Sequence, residues 1–163
     1  VQEPASDGTT TTTNDTSRDA KGEVLKIPSP AAHGSPATDL LTRLCWAPNR
    51  TADGPFDCAV VYLHGFPDQS LDHRAESDDY GSCSSRFPRK LSEILLEEVP
   101  DALFVAFNFA GTPGSDRDCP FEGKTVSREV SDARAVLRFL RESGRLSASA
   151  CIHVVGLSTG AII

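Results

Sequence analysis

The sequence predicts an α/β fold: a mostly parallel sheet with flanking helices, preceded by a disordered N-terminal tail. Three apolar runs, Cys58–Leu63, Leu103–Phe109 and Cys151–Val155, show little polar alternation, the pattern of strands buried on both faces of a parallel sheet. Two stretches of helical periodicity lie between them. Strand, helix, strand, helix, strand is the order of repeated parallel βαβ units, so helices are expected on both faces of the sheet.

In chain order, residues 1–21 are mostly Thr, Ser, Asp and Gly around the run Thr9–Thr13, with almost nothing to bury, and read as a disordered tail. The folded portion is expected over 22–163. Glu23–Pro28 and Leu40–Trp46 read as strands, an antiparallel pair joined through Pro30–Pro36. After the first apolar run, the connection from Asp68 to Phe87 is rich in Asp, Ser, Gly and Arg and longer than a compact domain usually carries. It reads as a functional loop near a ligand or as a disordered insertion. Pro88 can open a helix whose apolar face is Leu91, Ile94, Leu95 and Val99. In the second helix, Arg128–Arg141, the predicted inner face is Val130, Ala133, Val136, Leu137 and Leu140, with Glu129, Asp132, Arg134, Arg138 and Arg141 outward.

Composition narrows the function classes. The 163 residues suit one domain or part of a larger one, and 39% hydrophobic content is enough for a core. With 23 acidic against 16 basic residues, a net charge of -7 and no Lys/Arg run, a nucleic-acid or anionic-membrane surface is not expected. No apolar stretch approaches the roughly 20 residues that span a bilayer. The sequence has no methionine and begins at Val1, which reads as a processed or truncated piece of a longer product. Cys45, Cys58, Cys83, Cys119 and Cys151 are odd in number and form no C-x-x-C pair, so neither a disulfide framework nor a zinc site is expected. Cys58 and Cys151 read as small buried hydrophobes, which favours a reducing, cytoplasmic setting.

Metal and nucleotide chemistry find no footing. His33 and His73 fall in loops without H-x-x-x-H spacing, and His153 reads as a packed core residue. Asp68, Asp72, Asp78 and Asp79 lack the regular spacing of a calcium loop and read as a solvated acidic loop. Asp116 and Asp118 read as turn residues. Gly111–Gly114 carries neither the Lys-Ser/Thr of a P-loop nor a G-x-G-x-x-G turn. No metal and no cofactor is expected.

The segment that carries chemistry is Gly156-Leu157-Ser158-Thr159-Gly160, a G-x-S-x-G pattern placed directly after a strand and before residues that can start a helix. A serine at such a tight turn is backbone-strained and projects from the sheet, and the small Gly156 and Gly160 let strand and helix approach.

From Gly22 to Ile163 the sequence resembles the α/β-hydrolase superfamily, of the esterase, lipase and serine-aminopeptidase kind. Three ordered segments carry the resemblance: Val60–Pro67 with its His64-Gly65, Phe107–Ser115 with its glycine-rich turn, and the Ser158 pentapeptide. It implies a serine hydrolase acting on a small-molecule acyl ester, with Ser158 as nucleophile. The backbone N–H groups of Phe66 and Thr159 are the implied oxyanion-hole donors, and His64 is implied to orient the oxyanion loop rather than act as base. In the family's order the catalytic acid and histidine follow the serine. Here only five residues do, none ionisable. The expectation is therefore the N-terminal part of an α/β-hydrolase fold, truncated just after the nucleophile elbow, with this segment inactive alone. A non-catalytic binding module of the same fold, and an acyltransferase or thioesterase, remain the alternatives; oligomeric state is open.

Overall fold

A computed structural model describes residues 21–51, 54–66, 68–74, 76, 80–115 and 120–163. The expected tail lies outside them except for Lys21, which opens the first strand. Five strands, β1 (Lys21–Ser29), β2 (Thr38–Trp46), β3 (Phe56–Leu63), β4 (Ala102–Phe107) and β5 (Leu146–Gly156), form one sheet in the order β1-β2-β4-β3-β5. β1 and β2 pair antiparallel from Lys21 against Trp46 to Ser29 against Thr38. β2 runs antiparallel to β4, whereas β3 is parallel to both β4 and β5. This is the mostly parallel mixed sheet that the apolar runs predict.

Side-chain alternation along β4 divides the core in two. Leu103, Val105 and Phe107 pack with Ala133, Val136 and Leu140 of helix α2 (Val126–Glu142). Phe104 and Ala106 pack instead with Leu96, Leu91 and Leu95 of helix α1 (Arg86–Glu98). All six β4 residues are buried, as expected for a strand covered on both faces.

Three expectations are corrected. On α1, Ile94 is 50% and Val99 41% exposed; the buried positions are Pro88, Ser92 and Leu96, at i, i+4 and i+8, so the inner face is rotated from the predicted one. On α2, Glu129 and Asp132 face inward. Their charge is matched there: Glu129 pairs with Lys124, and Arg128 Nε lies 3.0 Å from Asp132 Oδ1. Asp132 also accepts from Ser29 Oγ at 2.7 Å and from the Ala110 N–H at 2.9 Å, while Arg128 Nη1 donates to the Pro30 and Pro36 carbonyls. Periodicity alone counts a carboxylate as outward because it cannot see a cation one turn away. Burial still pushes the Asp132 carboxyl above its ordinary range, and through Ser29, Pro30 and Pro36 the cluster ties the β1–β2 segment to α2.

The third correction is β5. It lies at the sheet edge beside β3, and Cys151, His153 and Val154 are exposed instead of packed in a core. A β-branched run reports strand propensity, whereas burial depends on what covers the strand. The exposure of Cys151, and the partial exposure of Cys58, remove the argument for a reducing compartment that rested on them. Among the described residues, Cys45, Cys58, Cys83 and Cys151 are free thiols; Cys119 lies outside them. No helix is long and apolar enough to cross a membrane among the described residues.

Candidate active site

The C-terminal ends of β3, β4 and β5 lie side by side, and the turns leaving them build the candidate site. β5 ends at Gly156, Leu157 N–H donates to the Leu63 carbonyl at 3.0 Å, and the chain then turns into a short 3-10 helix, Ser158–Ala161. The Gly160 N–H closes that turn on the Leu157 carbonyl at 2.9 Å. Ser158 sits at φ 54°, left-handed backbone that is uncommon for a non-glycine residue, and it is exposed. The predicted strand-turn arrangement is present; the helix-starting role expected of Ala161–Ile163 is taken earlier, by Ser158–Ala161.

The glycines show why the turn can be this tight. A Cβ on Gly156 would lie 2.1 Å from the Gly160 carbonyl oxygen, and one on Gly160 would lie 2.3 Å from the Leu63 carbonyl oxygen. A Cβ on Gly65 would lie 2.8 Å from Ser158 Cβ and 3.5 Å from its Oγ, so the His-Gly loop after β3 rests directly on the serine turn. The segments separated by about ninety residues of sequence thus meet at one place.

Phe66, two residues after His64, directs its backbone N–H to Thr159 Oγ1 at 2.9 Å. The two residues expected as oxyanion donors are therefore neighbours, Thr159 in the serine turn and Phe66 in the loop packed against it. His64 is almost fully buried: its Nδ1 lies 3.0 Å from the Gly65 carbonyl, and its Nε2 accepts the Phe109 N–H at 3.2 Å. These partners place the proton on Nδ1. Burial lowers the His64 pKa from 6.5 to about 4, partly offset by the Gly65 hydrogen bond. A ring with both nitrogens engaged ties the β3 and β4 turns together.

That arrangement has a pH consequence. The folded state holds His64 neutral while the unfolded chain protonates near 6.5, so between there and about 4 the unfolded state binds more protons. The contribution is complete above pH 6.5 and is lost as pH falls towards about 4, at up to roughly 1.4 kcal/mol per pH unit. Urea unfolding across this window should show a shallower pH slope for His64→Gln than for the wild type. Equal slopes would contradict the assignment.

Asn108, just after β4, carries no motif signal and anchors the described part of the long connection after β3. Its Oδ1 accepts the Ser70 and Leu71 N–H groups at 2.8 and 2.9 Å, and its Nδ2 donates to the Leu71 and Pro113 carbonyls at 3.0 and 2.8 Å. The described part of that connection is therefore tied to the sheet, with a further bridge between Leu71 and Cys83. Asp72 pairs with Arg74, whose hydrogen bonds hold its carboxyl down at about 2. Asn108→Ala should cost about 1–3 kcal/mol by leaving two buried N–H groups without their acceptor. Chemical denaturation reads this directly, and an unchanged midpoint would contradict it. Asp78, Asp79, Asp116, Asp118 and Pro67 lie outside the described residues, and Asp68, His33 and His73 are exposed.

Beside Thr159 a cleft of ≈ 230 Å³ is lined by Phe66, Phe121, Val126 and Thr125, with the Lys124–Glu129 pair in its wall. The Phe66 and Phe121 rings lie 5.6 Å apart, and Lys124 Nζ is 5.0 Å from the centre of the Phe109 ring. Thr125, in this wall, caps α2: its side chain accepts from the Arg128 N–H at 3.1 Å.

The sequence matches no protein-family model and no curated protein. Solved structures do resemble it. Oligopeptidase B from Leishmania major matches with a TM-score of 0.55 at 14% identity, covering 88% of this chain and 17% of that protein. A peroxisomal alpha-beta-hydrolase from Saccharomyces cerevisiae matches with a TM-score of 0.53 at 13% identity, over 88% of this chain and 39% of its own. An acylaminoacyl peptidase, solved with a chloromethyl ketone, matches with a TM-score of 0.53 at 17% identity, over 87% and 20%. The chain thus spans well under half the length of each.

Proposed function

Because the chain carries a partial α/β-hydrolase fold, we propose that it belongs to a serine hydrolase cleaving small-molecule acyl esters, with 22–163 as part of the hydrolase domain and Ser158 as nucleophile. The observation that carries this reading is the exposed Ser158 at φ 54° on a turn against which the Gly65–Phe66 loop is packed. At such a turn the Oγ is held at the mouth of the site, clear of the side chains that would otherwise crowd it.

In this mechanism Ser158 Oγ attacks the ester carbonyl, the alcohol leaves, and water releases the acyl group from the resulting acyl-enzyme. Charge developing on the carbonyl oxygen is stabilised by the backbone N–H groups of Phe66 and Thr159. Backbone donors suit this role because the turn fixes them before the reaction begins. The apolar cleft beside Thr159 takes a hydrophobic substituent of the ester. This reading requires a histidine base and an acid from outside the segment described, which spans 39%, 17% and 20% of the lengths of its three structural neighbours. His64, buried with both nitrogens engaged, stays a positioning residue.

The test is a rapid-mixing assay of the full-length protein with a nitrophenyl ester. A burst of nitrophenol approaching one equivalent, followed by slower turnover and absent from Ser158→Ala, is expected. The same burst in the alanine variant would sink the assignment of Ser158.

A further inference from the structure

The Phe66 N–H, one of the two proposed oxyanion donors, already has an acceptor: Thr159 Oγ1 at 2.9 Å. Thr159 belongs to the turn whose backbone supplies the other proposed donor. One residue thus offers an N–H to the reacting oxygen and a hydroxyl that competes for its partner N–H. We propose that the Thr159 hydroxyl is a built-in occupant of the oxyanion hole, which the substrate carbonyl oxygen must displace from Phe66 as Ser158 attacks. The proposal rests on the hydrolase reading above and adds to it a residue that sets the threshold for substrate entry.

The chemistry of the exchange favours displacement late rather than early. A hydroxyl oxygen and an ester carbonyl oxygen are both neutral acceptors, so the ground-state exchange gains little. As negative charge develops on the carbonyl oxygen, its bond to the Phe66 N–H becomes charge-assisted and stronger than the one Thr159 makes. The hydroxyl therefore selects for oxygens that acquire charge and holds off neutral acceptors such as water. Threonine suits the task because its branched Cβ restricts χ1, keeping the hydroxyl at the loop when no substrate is bound. Phe66 is 54% exposed and Thr159 half-buried, so removing the hydroxyl leaves an N–H that water can reach and does not strand a buried donor.

The test uses the full-length protein and its Thr159→Val and Thr159→Ser variants. Two readings are taken: the rate of covalent labelling of Ser158 by a fluorophosphonate, and hydrogen exchange of the Phe66 amide. Thr159→Val, nearly isosteric but without the acceptor, should label about fivefold faster than the wild type, the size expected from releasing one neutral hydrogen bond. Thr159→Ser, which keeps the acceptor on a less restricted side chain, should fall between them. In Thr159→Val the Phe66 amide should exchange at least about tenfold faster, as its bond is gone. Labelling of Thr159→Val at or below the wild-type rate would overturn the proposal, since the hydroxyl would then assist rather than obstruct. Unchanged Phe66 exchange would overturn it as well, independently of any reaction. Failure of the wild type itself to label at Ser158 is a different result: it rejects the nucleophile assignment and this proposal's role in catalysis, whichever way the amide exchanges.

Discussion

Replacing Ser158 with alanine in the full-length protein is expected to lower ester kcat/KM by about ten-thousandfold or more, with folding stability changed little. The expectation follows from what the side chain touches. Ser158 is exposed at the tip of a turn held by backbone hydrogen bonds from Leu157 and Gly160, so its hydroxyl is not needed to hold the turn in place. Its left-handed backbone stays strained in the variant, because alanine also carries a Cβ. Activity and stability therefore separate. Steady-state hydrolysis together with a denaturant midpoint measures both, and a loss below about tenfold in kcat/KM would mean that another group delivers the nucleophile.

Gly156→Ala is expected to do the reverse damage, removing the site by removing its scaffold. The added methyl would sit 2.1 Å from the Gly160 carbonyl oxygen, 2.5 Å from its carbonyl carbon and 2.6 Å from the Ala161 nitrogen. All three are backbone atoms, so no side chain can rotate away to make room. Either β5 or the Ser158–Ala161 turn must move, and each is fixed to the neighbouring β3 end through the Leu157 to Leu63 hydrogen bond. Overpacking that side chains can absorb typically costs about 1–3 kcal/mol; here we expect about 4 kcal/mol or more, or a shifted turn that no longer presents Ser158. Urea denaturation, paired with Ser158 labelling, distinguishes the two. A variant within about 1 kcal/mol of the wild type that labels normally would show that the close approach does not govern the elbow.

The sheet was legible in the sequence where burial and strand propensity coincide. Val60–Leu63 and Leu103–Phe107 are apolar because helices cover them on both sides, so their composition states their place. β5 has a similar composition but not the same surroundings, and Cys151 and His153 consequently read as core while standing exposed. The charged members of α2 failed for the converse reason. Glu129 and Asp132 are buried because Lys124, Arg128 and Ser29 meet them, and two of these partners lie off the helix.

At the candidate site, the glycines and Ser158 were readable because their spacing encodes a local turn. Asn108 was not, since nothing in its immediate neighbours reveals that it holds Ser70 and Leu71, 38 and 37 residues away. The Thr159 side chain was hidden in the same way. Its contact with Phe66 crosses 93 residues, and the motif treats that position as variable.

The most direct measurement is to treat the full-length protein with a fluorophosphonate, digest it, and locate the modified residue by mass spectrometry. One adduct is expected, formed as Ser158 Oγ displaces fluoride from phosphorus, and none in Ser158→Ala. An unmodified protein, an adduct on another residue, or equal labelling of the alanine variant would contradict it.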